Sequence, residues 1–96
     1  MKWKVGFTNK AEKQTRILPE ETLLTLQVLI TDLQNKGPVP GPYWPNYGKL
    51  NVKQNIDLRH CHILKGRPTY VCCWEVSKSN REIKVYYVGT HEKAPY

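Results

Sequence analysis

The strongest constraint on the fold of this chain is a series of three strand-like segments in its second half. The segments 58–65 (LRHCHILK), 69–76 (TYVCCWEV) and 82–90 (EIKVYYVGT) follow one another at short intervals. The last two are dominated by β-branched and aromatic residues, which favour strands. Gly66 and Pro68 mark the first interval, and the polar residues 77–80 mark the second. Because such short connections join antiparallel neighbours, the sequence predicts an antiparallel three-stranded meander.

The first half of the chain begins with one predicted strand and a short helix. In residues 2–7 (KWKVGF), Trp3, Val5 and Phe7 occupy alternate positions, which indicates a half-buried strand. A basic helix is expected to follow over about 10–17. Asn9 and Glu12 have the spacing of a capping box at its start.

A second helix is marked by both of its ends. Pro19 and two glutamates suit its N-terminus, and Gly37 suits its C-terminal cap. The apolar stripe between them has helical spacing and consists of Leu23, Leu26, Leu29, Ile30 and Leu33. The sequence therefore predicts an α+β fold in the order β-α-α-β-β-β, with a small antiparallel meander packed on an N-terminal αα-hairpin. At this length, residues 1–96 are expected to form a single domain.

The connection 37–51 is dense in proline, glycine and aromatic residues, so an irregular loop is expected there. Its aromatic side chains, Tyr43, Trp44 and Tyr47, are expected to cover the core. They could instead offer stacking faces to nucleic-acid bases, and this alternative stays open.

The chain is strongly basic, with fifteen Lys and Arg against eight Asp and Glu and a formal net charge of +7. This charge favours nucleic acid, an anionic membrane surface or an acidic protein as the partner. Cys61, Cys72 and Cys73 are odd in number and suggest no disulfide framework, so reduced thiols in a cytosol are expected. The N-terminus lacks the apolar run of a signal peptide, and no segment is long enough to span a bilayer. A cytoplasmic protein without a membrane partner is therefore expected.

The three histidines are the residues best suited to chemistry. His60 and His62 alternate on one strand, so they share a face about 6–7 Å apart. The hairpin centred near Gly66 predicts that Val71 lies opposite His62 and Cys73 opposite His60. The third strand then returns to the same end of the sheet and brings His91 close to His62.

Several chemistries are open to such a cluster. Zinc binding needs three or four ligands in tetrahedral directions, and His60, His62 and His91 could supply three nitrogens. The cysteines follow no zinc spacing and no motif supports a site, so neither a metal nor a cofactor is expected. A cysteine nucleophile at Cys61 is disfavoured because its strand neighbours His60 and His62 face the other way. Histidines among fixed cations suit cleavage of a phosphodiester, in which one group deprotonates a ribose 2′-hydroxyl and another protonates the leaving 5′-oxygen. Three ordinary surface histidines on a basic protein remain an equally open interpretation.

The order of elements, together with RHCHILKGRPTYVCCWEV and the ending YYVGTHEKAPY, resembles the RelE/HigB branch of the RelE/ParE toxin superfamily. The resemblance covers essentially the whole chain and is most specific in VGTHEKAPY. RNase members of this family cleave mRNA without metal, commonly in the ribosomal A site. The resemblance implies a type II toxin that inhibits translation as an mRNA endoribonuclease.

The same resemblance implies roles for individual residues. His60 and His62 match two alternating basic residues of the family, His91 matches an Arg or His, and Tyr96 matches a late Tyr. These four residues are the expected catalytic group. The expected RNA- or phosphate-binding residues are Lys49, Lys53, Lys65, Arg67 and Lys93. Several members carry Arg and Lys where this chain has histidines, and a transition-state Arg has no counterpart because position 71 is Val.

The resemblance also implies partners. A toxin of this family would bind mRNA and the ribosome, and an acidic antitoxin would cover its basic groove in a toxin–antitoxin hetero-oligomer. Two other functions stay open. One is a ParE-type toxin that inhibits gyrase, which needs no converging histidines. The other is a basic RNA-binding module without catalysis.

Overall fold

The computed structural model describes residues 2–50 and 55–96, which fold into strands, two α-helices and a final 3₁₀ turn. The strands are β1 (Lys4–Phe7), β2 (Gly48–Lys49), β3 (Leu58–Leu64), β4 (Tyr70–Ser77) and β5 (Glu82–Thr90). The helices are α1 (Asn9–Thr15) and α2 (Glu20–Lys36), and the 3₁₀ turn is His91–Lys93. No helix within the described residues is long and apolar enough to cross a membrane.

The strands form a single five-stranded sheet in the order β1-β5-β4-β3-β2. The predicted antiparallel meander β3-β4-β5 is confirmed, and so is its register, with His62 opposite Val71 and His60 opposite Cys73. The α+β prediction is also confirmed, but the sheet is mixed rather than purely antiparallel. The reason is that β1 pairs with β5 in parallel, and the two helices belong to the long connection that parallel pairing requires.

The helices agree with the sequence except at the start and end of α1. Thr8, not Asn9, is the N-cap, because its extended backbone lets Oγ1 accept a hydrogen bond from the Ala11 N–H at 3.1 Å. α1 also ends two residues early, and Ile17 beyond it is 84% exposed. α2 begins after Pro19 and ends at Gly37, whose φ of 89° suits glycine.

The main core lies between one face of the sheet and both helices. Their contacts are mainly with strands, α1 with β5 and α2 with β3 and β1. The helices contribute Ala11, Leu26, Leu29 and Leu33, and the sheet contributes Cys61, Ile63, Cys72, Trp74, Val76, Ile83, Val85 and Val88. On the opposite face of the sheet, the described residues form a small buried cluster of Val71, Cys73 and Tyr87.

The aromatic residues of the 37–51 connection have divided roles. Trp44 is 3% exposed and donates its indole N–H to Asp32 Oδ2 at 2.8 Å. Tyr47 stacks on the buried Trp74 ring, with the ring centroids 6.2 Å apart. These two residues cover the core as expected, whereas Tyr43 is 73% exposed. The connection also contains β2, which the sequence analysis did not predict.

Arg59 is a buried cation on the helix side of the sheet. Its Nε and Nη2 donate to both carboxylate oxygens of Asp57 at 2.9 and 2.8 Å, and its Nη1 donates to the Tyr47 hydroxyl at 2.9 Å. The hydrogen bond from Arg59 is the main reason why the pKa of Asp57 is lowered. The network ties β3 to the 37–51 connection.

We expect Arg59→Leu to lower the free energy of unfolding by about 3 kcal/mol, because it leaves the Asp57 carboxylate without its partner in a partly buried position. Arg16→Ala is the matched control, since it breaks an exposed ion pair with Glu12 and should cost less than about 1 kcal/mol. Urea unfolding followed by tryptophan fluorescence measures both. Equal losses in the two variants would contradict a structural role for Arg59.

Candidate active site

The pleat of β3 separates core residues from candidate site residues. Arg59, Cys61 and Ile63 are buried, whereas His60 and His62 are partly exposed and alternate with them. Because adjacent strand residues point to opposite faces, both imidazoles lie on the face that the helices do not cover. The predicted sidedness of the two histidines is therefore confirmed.

His91 reaches the same face from the other end of the meander. Its backbone N–H donates to the Thr69 carbonyl at 2.8 Å, which fixes the start of the 3₁₀ turn beside the first residue of β4. The ring centroids of His62 and His91 are 5.2 Å apart, with the planes at 71°. The predicted convergence of His91 on His62 is confirmed.

Tyr96 completes the group. Its ring lies 4.6 Å from that of His60 and 6.0 Å from that of His91, between centroids. The phenol is 48% exposed, so it forms an outer wall of the group. We call His60, His62, His91 and Tyr96 the histidine–tyrosine cluster.

The electrostatics of the cluster favour neutral imidazoles on β3. Burial is the largest cause that lowers the pKa of His60, followed by the charge of His91. Burial again comes first in lowering the pKa of His62, followed by the charges of His91, His60 and Lys65. The Nδ1 atoms of both rings are buried and have no hydrogen-bond partner among the described residues. The charged imidazolium form, which carries a proton on both nitrogens, would therefore hold a buried Nδ1–H donor without an acceptor.

The phenol of Tyr96 differs from the imidazoles, because burial raises its pKa. A phenol whose pKa is raised keeps its proton at neutral pH. Tyr96 can therefore donate a hydrogen bond but is poorly suited to accept a proton.

The cysteines are not nucleophiles in this environment. Burial raises the pKa of Cys61 to about 12 and that of Cys73 to about 12, so both thiols stay protonated near neutral pH. Cys61 lies in the main core, and Cys73 lies opposite His60 in the small cluster beneath the histidines. All three cysteines are free.

The other expected site residues are spread more widely. Lys65 and Arg67 lie in the exposed β3–β4 connection, at the end of the sheet where His62 is found. Lys93 is exposed on the 3₁₀ turn and lines a groove together with residues of α1. Lys49 lies on β2 opposite Arg59, outside the histidine–tyrosine cluster. Lys53 lies outside the described residues.

Two neighbours of the cluster were missed by the sequence analysis. The Tyr87 hydroxyl donates to the Thr90 carbonyl at 2.7 Å, immediately before His91. A Cβ at Gly89 would lie 2.7 Å from that hydroxyl, so glycine is needed for this contact. Gly48 lies opposite His60, and a Cβ there would lie 3.6 Å from His60 Nε2. Gly89, which follows closely after two tyrosines, was the sequence signal available for the contact of Tyr87. The position of Gly48 opposite His60 could be found only once β2 was known.

The described part of the chain contains no group of three or more His, Cys, Asp or Glu side chains arranged to hold a metal ion.

Comparison with solved structures identifies the fold. The archaeal RelE–RelB complex from Pyrococcus horikoshii contains a chain with a TM-score of 0.77 and 20% identity, covering 98% of this chain and 100% of that one. A metal-bound toxin from Helicobacter pylori gives a TM-score of 0.67 and 19% identity, covering 95% of this chain and 97% of that one. The isolated RelE toxin from E. coli gives 0.65 and 17%, covering 97% of this chain and 88% of that one.

No protein-family model matches the sequence, and no curated protein sequence matches it. The structural similarity alone shows that the chain has the RelE-type toxin fold.

The pKa values of His60 and His62 should both lie below the ordinary value of about 6.5 in the folded protein. The unfolded chain then binds more protons between these values, so the free energy of unfolding should fall as the pH drops from 6.5 toward the folded-state pKa values. NMR titration of the imidazole signals measures the shifts. In His91→Ala, both pKa values should rise part of the way back, because burial remains but the neighbouring charge is gone. A folded-state pKa above 6.5 at either residue would contradict this description.

Proposed function

We propose that this chain is the toxin of a type II toxin–antitoxin system and a metal-independent endoribonuclease that cuts mRNA on the ribosome. The observation that carries the proposal is the convergence of His62 and His91 from opposite ends of the meander, beside Tyr96. The RelE-type fold and the net charge of +7 support it, because an anionic polymer is the expected substrate.

The proposed reaction pairs a base with an acid. Neutral His62 accepts the proton of the ribose 2′-hydroxyl, and the 2′-oxygen then forms a bond to phosphorus. The bond from phosphorus to the 5′-oxygen breaks, and protonated His91 supplies the proton that this oxygen needs. The products are a 2′,3′-cyclic phosphate and a 5′-hydroxyl, with the proton moved from one imidazole to the other. The lowered pKa of His62 favours the neutral form that this base needs at neutral pH.

The remaining site residues position the phosphate. The Tyr96 phenol, which keeps its proton, donates to a phosphate oxygen, and His60 packs against its ring. Lys65 and Arg67 attract the phosphates that flank the cleaved bond, from the exposed turn beside His62. Binding of the phosphates therefore depends on Tyr96, His60, Lys65 and Arg67. Proton transfer depends on His62 and His91.

An acidic antitoxin is the proposed protein partner in the cytoplasm. The similar archaeal toxin was solved as a RelE–RelB complex. For this chain, an acidic segment would complement the excess of fifteen basic over eight acidic residues. Bound over the uncovered face of the sheet, it would block RNA from the histidine–tyrosine cluster within the toxin–antitoxin hetero-oligomer.

His62→Ala and His91→Ala should each lower mRNA cleavage by about 10²- to 10⁴-fold, because each removes a proton-transfer group. Tyr96→Phe should have a smaller effect, since it removes one hydrogen bond to the phosphate. Primer extension on translated mRNA in a purified translation system measures the cuts. Lys13→Ala, an exposed change on α1, is the control and should cleave normally.

Unchanged cleavage in both histidine variants would overturn the catalytic assignment. A DNA-damage response without mRNA cuts in cells that express the chain would instead indicate a gyrase inhibitor. RNA binding that survives removal of every histidine, with no cleavage by the unmodified protein, would indicate a binding module.

Tyr87→Phe should lower kcat about tenfold with little change in KM, because the lost hydrogen bond to the Thr90 carbonyl loosens His91 without touching RNA. Gly89→Ala should do the same by displacing the hydroxyl. Tyr43→Phe, at an exposed position, is the matched control. The pH profile of kcat separates this role from general destabilisation, since only mispositioning of His91 should weaken the limb set by the general acid. A pH profile of kcat that is lowered by the same factor at every pH would contradict this positioning role of Tyr87.

A further inference from the structure

A basic region separate from the histidine–tyrosine cluster lies around the N-terminus of β1, the end of α2 and the β4–β5 turn. It is an open hollow of about 720 Å³, which we call the basic hollow. Its lining residues are Trp3, Pro38, Val39, Tyr47, Lys49, Arg59, Lys78 and Arg81. Four of the eight are cationic, and none of these described lining residues is acidic. This charge composition fits an anionic ligand.

The cations of the basic hollow have different environments. Arg59 is already bound to the Asp57 carboxylate at its back. The side chains of Lys49 and Lys78 are exposed, and both line the adjoining cleft that also contains Asp57. Both ammonium charges contribute to the lowered pKa of Asp57, so they share one neighbourhood although Lys49 lies on β2 and Lys78 in the β4–β5 turn. Two exposed lysines beside an already neutralised carboxylate leave an excess of positive charge for a ligand.

The edge strand β2 joins the basic hollow to the histidine–tyrosine cluster. Gly48 lies opposite His60, whereas the next residue, Lys49, lies opposite Arg59 and lines the hollow. β2 has two residues and is the outermost strand of the sheet that the described residues form, so no further strand from residues 2–50 or 55–96 covers it. A side chain at position 48 would start 3.6 Å from His60 Nε2, and glycine leaves that path open. A chain molecule can therefore pass from one face of the sheet to the other over this edge.

We propose that the basic hollow binds the sugar–phosphate backbone of the RNA strand that is cut at the histidine–tyrosine cluster, after the strand crosses the edge at Gly48. The inference deepens the proposed function and rests on it for the identity of the strand. Lys49 and Lys78 contact phosphates without reading bases, so the hollow adds affinity and orientation but no sequence preference. RNA is favoured over an acidic peptide because the hollow continues the path of the cleaved strand.

The test measures how the affinity for RNA depends on RNA length and on the presence of Lys49 and Lys78. The proteins carry His62→Ala so that no cleavage occurs, and fluorescence anisotropy measures binding of single-stranded RNAs of roughly four and roughly twelve nucleotides. Lys49→Ala with Lys78→Ala should weaken binding of the longer RNA about tenfold and leave the shorter one nearly unchanged. The slope of log K against log salt should fall by about 1.4 for the longer RNA, as expected for two lost phosphate contacts.

A double variant of equal charge change is the control. Lys13→Ala with Lys84→Ala removes exposed lysines that line neither the hollow nor the histidine–tyrosine cluster. The proposal is overturned if both double variants weaken the longer RNA equally, or if the loss is the same for both lengths. It is also overturned if polyglutamate binding, but not RNA binding, depends on Lys49 and Lys78. Because binding is measured without cleavage, these results are independent of whether the unmodified protein cuts mRNA.

Discussion

The position of His91 depends on one irregularity in the pairing of β4 with β5, the extra residue Tyr86. In an unbroken strand Val85 and Tyr87 would share a face, because alternate residues point the same way. The bulge reverses this alternation, so Val85 and Val88 both lie in the main core while Tyr87 packs on the opposite face. From that face Tyr87 holds the carbonyl just before His91. Because of the bulge, β5 contributes residues to the main core on both sides of Tyr86. The His91 imidazole after β5 nevertheless lies on the opposite face.

The chemistry of the cluster depends equally on where the few carboxylates lie. Asp57 is bound by Arg59, and Asp32 accepts the indole N–H of Trp44. Both therefore stabilise the connection between α2 and β3. A carboxylate against His62 would favour its charged form, whereas burial and neighbouring cations favour the neutral form instead. With Asp57 and Asp32 held in the scaffold, the environment of His62 favours its neutral form.

The sequence was sufficient for the parts of the fold that follow from local patterns. Alternation along β3 gave the sidedness of His60 and His62, and the short β3–β4 connection gave their register. The two-residue β2 was missed because its partner lies in β3 and nothing in the proline-rich segment signals it. Thr8 is the N-cap, although Asn9 was predicted. Both side chains are able to cap a helix, so the choice depends on which residue has the extended backbone. The bulge could not be predicted, because EIKVYYVGT alternates acceptably without it.

The cluster and the main core are on opposite faces of one sheet, so the cluster residues do not form part of the main core. Both helices bury the face that contains Trp74, and only the small group around Cys73 supports the other face. The residues after the 3₁₀ turn, including Ala94 and Tyr96, pack against that second face. On a fully exposed face of a sheet, such imidazoles would stay solvated and would keep their ordinary pKa values. Partial cover by Tyr96 and the 3₁₀ turn excludes water from one side, and this desolvation is the largest cause of the lowered pKa of His60. A short C-terminal segment therefore converts two solvent-facing side chains of β3 into a site.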